Sequence, residues 1–258
     1  MDSISSSSSA ASSSDTSPVS SLSPSRASSR TSLSSPTSLE SSANLPSSSL
    51  SLSYASSILA REIGALQKLH NSLSDEESEQ GKAFVDVVRR ISSVGRGGMG
   101  AKVVCTGVGK SLIVARKAAG ILCSFGVPSV TLHPTEAMHG DLGLLSSHDV
   151  LLLFSHSGTT RELLSFLPYV PPSIQKVLIT SSPRSILAQN SDVVLTIPPE
   201  EADEEVPAPT ASMLCMGALV DAIALTVLRE REGADGAAGR RKFGELHPGG
   251  RLGEVCRD

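Results

Sequence analysis

The sequence predicts an α/β fold, a five-stranded parallel sheet inside a three-layer αβα sandwich. Short β-branched runs alternate with helical stretches from about residue 100 onward. The runs are continuously apolar rather than alternating, so helices must cover both faces of the sheet. Strands separated by helices connect in parallel, which gives a doubly wound order.

Taken in order, residues 52–73 place Leu52, Ala55, Ile58, Leu59, Ile63, Leu66 and Leu69 at helical spacing, with Arg61, Glu62, Gln67 and Lys68 opposite. A second helix is expected over 82–93, with Phe84, Val87, Val88 and Ile91 inward. GRGGMG at 95–100 breaks that pattern as a turn before a strand should. The strands are then expected at 102–106, 129–132, 149–154, 176–180 and 192–197. Helices follow at 111–125, from the loop after residue 154 to about 167, and at 184–189. A long helix over 210–231 is expected to close the regular part.

Of 258 residues, the first 50 include 25 serines, a composition that cannot offset its ordering entropy by burying a core. Two segments are therefore expected: a disordered Ser-rich tail over 1–50 and a folded domain over 51–258. Ser17, Ser23 and Ser35 each precede proline and read as proline-directed phosphorylation sites. The same leader, acid-poor and carrying Arg26 and Arg30, also fits an organelle transit peptide. The net charge of −4 argues against nucleic acid and anionic membrane as partners. No uninterrupted apolar stretch reaches 18 residues, so no membrane span is expected. Cys105, Cys123, Cys215 and Cys256 lie far apart, as reduced thiols of a cytoplasmic protein do, and the first three sit in apolar runs that read as core.

Two polar loops fall at the carboxyl ends of strands, where open parallel sheets bind ligands. Gly107-Val108-Gly109-Lys110-Ser111 resembles the end of a P-loop, but the full pattern needs glycine where Val104 stands. Leu112 likewise breaks the dinucleotide pattern. A tight turn remains that puts Lys110 and Ser111 at the mouth of the sheet, unless Lys110 is a solvated surface group. The second loop, Ser155-His156-Ser157-Gly158-Thr159-Thr160, gathers hydroxyls and free N–H groups ahead of a helix that carries Glu162. Ordinary helix capping needs one hydroxyl, so the excess favours a phosphate cradle. No G-x-S-x-G surrounds Ser155 or Ser157, so a serine nucleophile is not indicated.

At these residues the chain resembles the SIS (sugar isomerase) domain family, whose phosphate loop reads S-x-S-G-x-[ST]. Within it, the chain is most similar to the arabinose-5-phosphate isomerase group. The resemblance runs from about Ala101 to Gly253 through GVGKS (107–111), HPTEAMHGDLG (133–143), SHSGTTRE (155–162), APT (208–210) and HPGGRLG (247–253). It implies a SIS-type, flavodoxin-like sheet. It also implies an aldose–ketose isomerase that interconverts D-arabinose 5-phosphate and D-ribulose 5-phosphate with no cofactor and no metal. Such a reaction needs a base, hydroxyl proton shuttles and a stabiliser for the oxyanion. By the same resemblance the catalytic positions are Lys110, Glu162, Glu201 and His247, with Glu200 and Glu204 as alternative registers for Glu201. Gly109, Ser111, His133, His139, Asp141, Ser155, His156, Ser157, Gly158 and Thr160 would contact substrate. His133 fits a cap at the strand end equally well, and Asp141 fits a role in fixing the turn between Gly140 and Gly143.

The family's usual G-E-S-S-E reads G-T-T-R-E here, which puts Arg161 beside Glu162, and a small residue of the tail motif is replaced by Arg251. Many relatives carry a pair of CBS domains after HPGGxLG, and this chain resembles the short form without them. Homo-oligomers, dimers or tetramers, are implied, with His247 reaching a neighbour's site. Two alternatives stand beside the isomerase. One is a non-catalytic sugar-phosphate sensor, which would need only the loop at 155–160; the other is an isomerase for another phosphosugar.

Overall fold

The computed structural model describes residues 48–96 and 100–256. The Ser-rich segment, with its Ser-Pro sites, lies outside the described residues as far as 47, and so do 97–99 of the glycine-rich turn. The chain runs α1 (Ser48–Ser72), α2 (Glu79–Ser93), β1 (Val103–Gly107), α3 (Lys110–Ser124), β2 (Ser129–Thr131), α4 (Pro134–Ala137) and β3 (Val150–Phe154). It continues through α5 (Arg161–Phe166), β4 (Gln175–Thr180), α6 (Ile186–Gln189), β5 (Val193–Thr196), α7 (Ala211–Glu232), α8 (Ala237–Leu246) and α9 (Arg251–Val255). The strands pair in parallel in the order β2-β1-β3-β4-β5. Each expected strand is found, with its ends displaced by a residue or so.

Successive strand side chains point to opposite faces and build two cores. Val103, Cys105, Leu152, Phe154, Val177 and Ile179 pack with α1, α2, α3 and α7. Val104, Leu151, Leu153 and Leu178 pack on the other side with Leu163, Phe166 and Leu187 of α5 and α6. Val87, Val88 and Ile91 of α2 are buried as expected, and Phe84 is partly covered. Cys105 and Cys215 are buried, whereas Cys123 is exposed. One residue past buried Leu122, Cys123 has turned off the inward stripe of α3. Burial, with Cys123 adding, pushes the Cys105 thiol far above its ordinary value.

Regular structure does not end with the long helix, as the sequence had indicated: α8 and α9 follow it. Their glycines serve as close-contact points rather than breakers. A Cβ on Gly239 would lie 3.2 Å from Leu228 of α7, and one on Gly244 3.0 Å from Cys256. Helix α7 is, among the described residues, the one helix long and apolar enough to cross a membrane. Nine of its eleven buried residues belong to the first core, however, which accounts for its apolar character as that of a core helix.

At the amino end of the sheet, Asp149 ties β3 to β1. Its buried carboxylate accepts from the Lys102 ammonium at 2.8 Å, the Lys102 N–H at 3.0 Å, the Ser146 N–H at 2.8 Å and the Ser146 hydroxyl at 2.7 Å. Burial alone would push this carboxyl up, but the Lys102 and Ser146 donors hold it below the usual carboxylate range. Its contribution to stability is therefore present above the unfolded value of about 3.9 and is lost as the pH falls through the lower folded value. Asp149→Ala should destabilise the domain by about 3 kcal/mol at pH 7, because Lys102 and two N–H groups lose their partner. Urea denaturation of parent and variant across pH checks this, and the gap should narrow as the pH drops below about 4.

Candidate active site

The register between β1 and β3 sets the site. Gly107, the last residue of β1, pairs with Phe154, the last of β3. The two polar loops therefore leave the sheet at one level, on either side of the point where strand order reverses. A Cβ on Gly107 would come within 3.0–3.1 Å of backbone atoms of Ser111 and Phe154, so only glycine lets α3 start this close to the sheet. Lys110 is the first residue of α3 and is exposed.

The loop at 155–160 is held by its own polar groups. The Ser155 hydroxyl, buried, bonds to the Thr160 hydroxyl at 2.8 Å and accepts from the Gly158 N–H at 3.1 Å. Ser157 accepts from the N–H and hydroxyl of Thr159, at 3.3 and 3.1 Å. The His156 carbonyl accepts from the Thr180 hydroxyl, the Ser181 hydroxyl and the Ser181 N–H at 2.9, 2.9 and 3.0 Å. Gly158 has φ +64°, and a Cβ there would lie 1.9 Å from the Ser185 hydroxyl. The loop is thus folded before any ligand arrives.

The loop after β5 supplies the third wall. One oxygen of Glu201 accepts from the N–H groups of Thr210 and Ser212, at 2.9 and 3.1 Å, and so caps the amino end of α7. Its other oxygen stands 3.9 Å from His156 Nε2. Burial pushes the Cys215 thiol beneath this loop up to about 11, with Glu201 and Glu200 adding to the effect, so Cys215 is held as an inert core thiol. Lys110, Ser111, His156 and Glu201 line one cavity of about 310 Å³, together with Met213 and Met216.

Helix α1 holds the Glu201 loop through Tyr54 and through Arg61 and Lys68 of the polar face. The Tyr54 hydroxyl donates to Asp203, Arg61 donates to the Ala202 carbonyl at 3.1 Å, and Lys68 pairs with Glu200 at 2.7 Å. Lys68 holds the Glu200 carboxyl, and Tyr54 the Asp203 carboxyl, below the usual range. Spacing of seven residues puts all three on one stripe of the helix. That spacing, set against the acidic run at 200–205, was the signal available in the sequence.

The other expected residues fall elsewhere. Glu162 is exposed in the first turn of α5 and does not line the cavity. His133 caps the amino end of α4, its Nδ1 accepting from the Thr135 N–H at 3.2 Å, rather than the end of a strand. His139 and Asp141 are exposed on the turn that follows. His247 does not line this cavity within one chain. It ends α8, donates from Nδ1 to the Phe243 carbonyl at 2.7 Å and stacks on that ring. Phe243 packs on Phe125, just beyond the carboxyl end of α3, whereas Lys110 begins that helix. Fifteen residues of helix put the two ends about 20 Å apart. Among the described residues no group of three or more His, Cys, Asp or Glu is placed to hold a metal ion.

Gly158→Ala should cost about 1–3 kcal/mol, from the positive φ and the overlap with Ser185. Adding Ser185→Gly removes the overlap but not the φ penalty, so the double variant should recover part of the lost stability in a thermal melt.

Comparison with known proteins agrees with this geometry. The SIS domain family matches residues 100–226. Arabinose 5-phosphate isomerase KdsD of Francisella tularensis is 36% identical over 196 residues, 74% of this chain and 55% of that protein. The chain spans about half the length of the curated relatives it matches. An E. coli CFT073 protein solved in complex with arabinose 5-phosphate is 32% identical, with a TM-score of 0.66, covering 78% of this chain and 99% of the other. A phosphosugar isomerase, described as putative and involved in capsule formation, from Bacteroides fragilis is 31% identical with the same TM-score, covering 77% and 97%. At this identity, over nearly the full length of two solved relatives, the chain belongs to the SIS domain family.

Proposed function

We propose that this chain is a sugar-phosphate isomerase that interconverts D-arabinose 5-phosphate and D-ribulose 5-phosphate through an enediol. The observation that carries the reading is the cavity in which Lys110, His156 and Glu201 converge beside the preformed loop at 155–160. The names of the relatives support the same substrate class.

In this reading the phosphate sits on the hydroxyls and N–H groups of residues 155–160. It anchors the substrate so that C1 and C2 lie in the cavity. The Lys110 ammonium stabilises the oxyanion that develops as a proton leaves the carbon next to the carbonyl. A fixed carboxylate such as Glu201, with one oxygen committed to α7 and one free, suits acid–base work because its geometry does not change on binding. Glu162 lies one turn from the phosphate loop, where it would close on a bound sugar. His247 serves the pocket of a second copy in a homo-oligomer. The leucines and isoleucine that α1 leaves uncovered, Leu52, Leu59 and Ile63, are 72, 59 and 66% exposed in the single chain and offer a surface for that assembly.

A coupled assay on the full chain, run in both directions, tests the reading. Lys110→Ala should lower kcat/KM by at least about 10²-fold while thermal-shift binding of the sugar phosphate persists. Binding without turnover in the parent would replace the isomerase with a sugar-phosphate sensor, and turnover of a different phosphosugar would replace the substrate.

A further inference from the structure

His156 occupies the variable position of the phosphate loop, between two serines whose role needs only hydroxyls and N–H groups. Its backbone cannot move freely, because three donors from the end of β4 and the residue beyond it converge on its carbonyl. The ring is therefore aimed by a rigid support. Its Nε2 is shielded from solvent, yet has no hydrogen-bond partner. A shielded, unpaired nitrogen of this kind costs about 1–3 kcal/mol. The wall that holds it faces Glu201, whose second oxygen is tied to α7 and cannot swing away.

The 3.9 Å between Nε2 and Glu201 Oε1 is too long for a direct hydrogen bond. It is short enough that one hydroxyl seated beside the gap reaches both atoms at about 2.8 Å. The charged and titratable groups facing this gap are Glu201 from the loop after β5 and Lys110 from α3, with the Cys215 thiol beneath the Glu201 loop.

We propose that His156 is a proton-carrying residue of this pocket, paired with Glu201 across a sugar oxygen within a single chain. The proposal rests on the isomerase reading above. As the carbon-bound proton at C2 leaves to the base, the His156–Glu201 pair gives a proton to the carbonyl oxygen on C1, which forms the enediol. The pair then takes the proton of the C2 hydroxyl as the base returns its proton to C1. Two protons have moved, the carbonyl has passed from C1 to C2, and both partners end in their starting protonation state.

The test uses the full chain with D-arabinose 5-phosphate as substrate. His156→Gln should lower kcat about 10²- to 10³-fold with KM changed less than about threefold, and His156→Ala should regain activity in proportion to added imidazole. A kcat for His156→Gln within about threefold of the parent, or a loss confined to KM, overturns the proposal. So does a deficit in His156→Ala that imidazole leaves untouched. Should the parent prove inactive, the isomerase reading has failed on its own. The pair is then judged by ring-nitrogen NMR on the parent and on Glu201→Gln. The His156 Nε2 resonance should move with that substitution, and an unmoved resonance overturns the pairing.

Discussion

The parallel pairing of β1 with β3 is the constraint on which the site depends. It fixes Gly107 against Phe154, and the loops that follow each strand must then share one crevice. A parallel sheet offers such a crevice only where the winding reverses, since elsewhere adjacent crossovers lie on the same side. The apolar content of both strands secures the register: Val103, Cys105, Leu152 and Phe154 belong to one core, and Val104, Leu151 and Leu153 to the other. A slip of one residue would exchange the two sets and drive glycine out of the only position where α3 fits against the sheet.

Glu201 couples that crevice to the rest of the domain. Capping α7 fixes the carboxylate with respect to the largest core helix, and the contacts from Tyr54, Arg61 and Lys68 fix the surrounding loop to α1. Each surface contact is worth little by itself. Together they restrain a loop of prolines and acids that makes no ladder hydrogen bonds. Orientation of one carboxylate thus draws on residues 132 to 149 positions away from their loop partners, and the amphipathic first helix serves two purposes on two faces.

The sheet was legible because strand identity depends on local composition. Runs such as VVCTG and VLLLF are readable without knowing their neighbours. What escaped were features that depend on distance in space. Cys123 looked like core because its run is apolar, but helical rotation decides burial residue by residue. The segment 233–256 was left outside the regular part, whereas it holds α8 and α9, and Gly239 and Gly244 mark close contacts there. Within the site, Lys110, Ser111 and the 155–160 loop were found from the loops themselves. His156 was taken only as one more substrate contact, because its opposition to Glu201 joins residues 45 apart.

The position of His247 turns these observations into an argument about assembly. His247 packs by way of Phe243 near the carboxyl end of α3, whereas Lys110 begins that helix, and the His247 Nδ1 is already committed to the Phe243 carbonyl. If it acts at a cavity, that cavity belongs to another copy. The pocket of a single chain already contains a cation at Lys110, a fixed carboxylate at Glu201 and an imidazole at His156, which is the full set of group types an enediol reaction asks for. Dependence on a second copy is therefore a matter of which histidine moves the proton, not of whether the pocket holds one. The two histidines make different demands on the molecule. His156 needs only the fold of one domain, whereas His247 needs an interface that delivers the end of α8 to a foreign crevice.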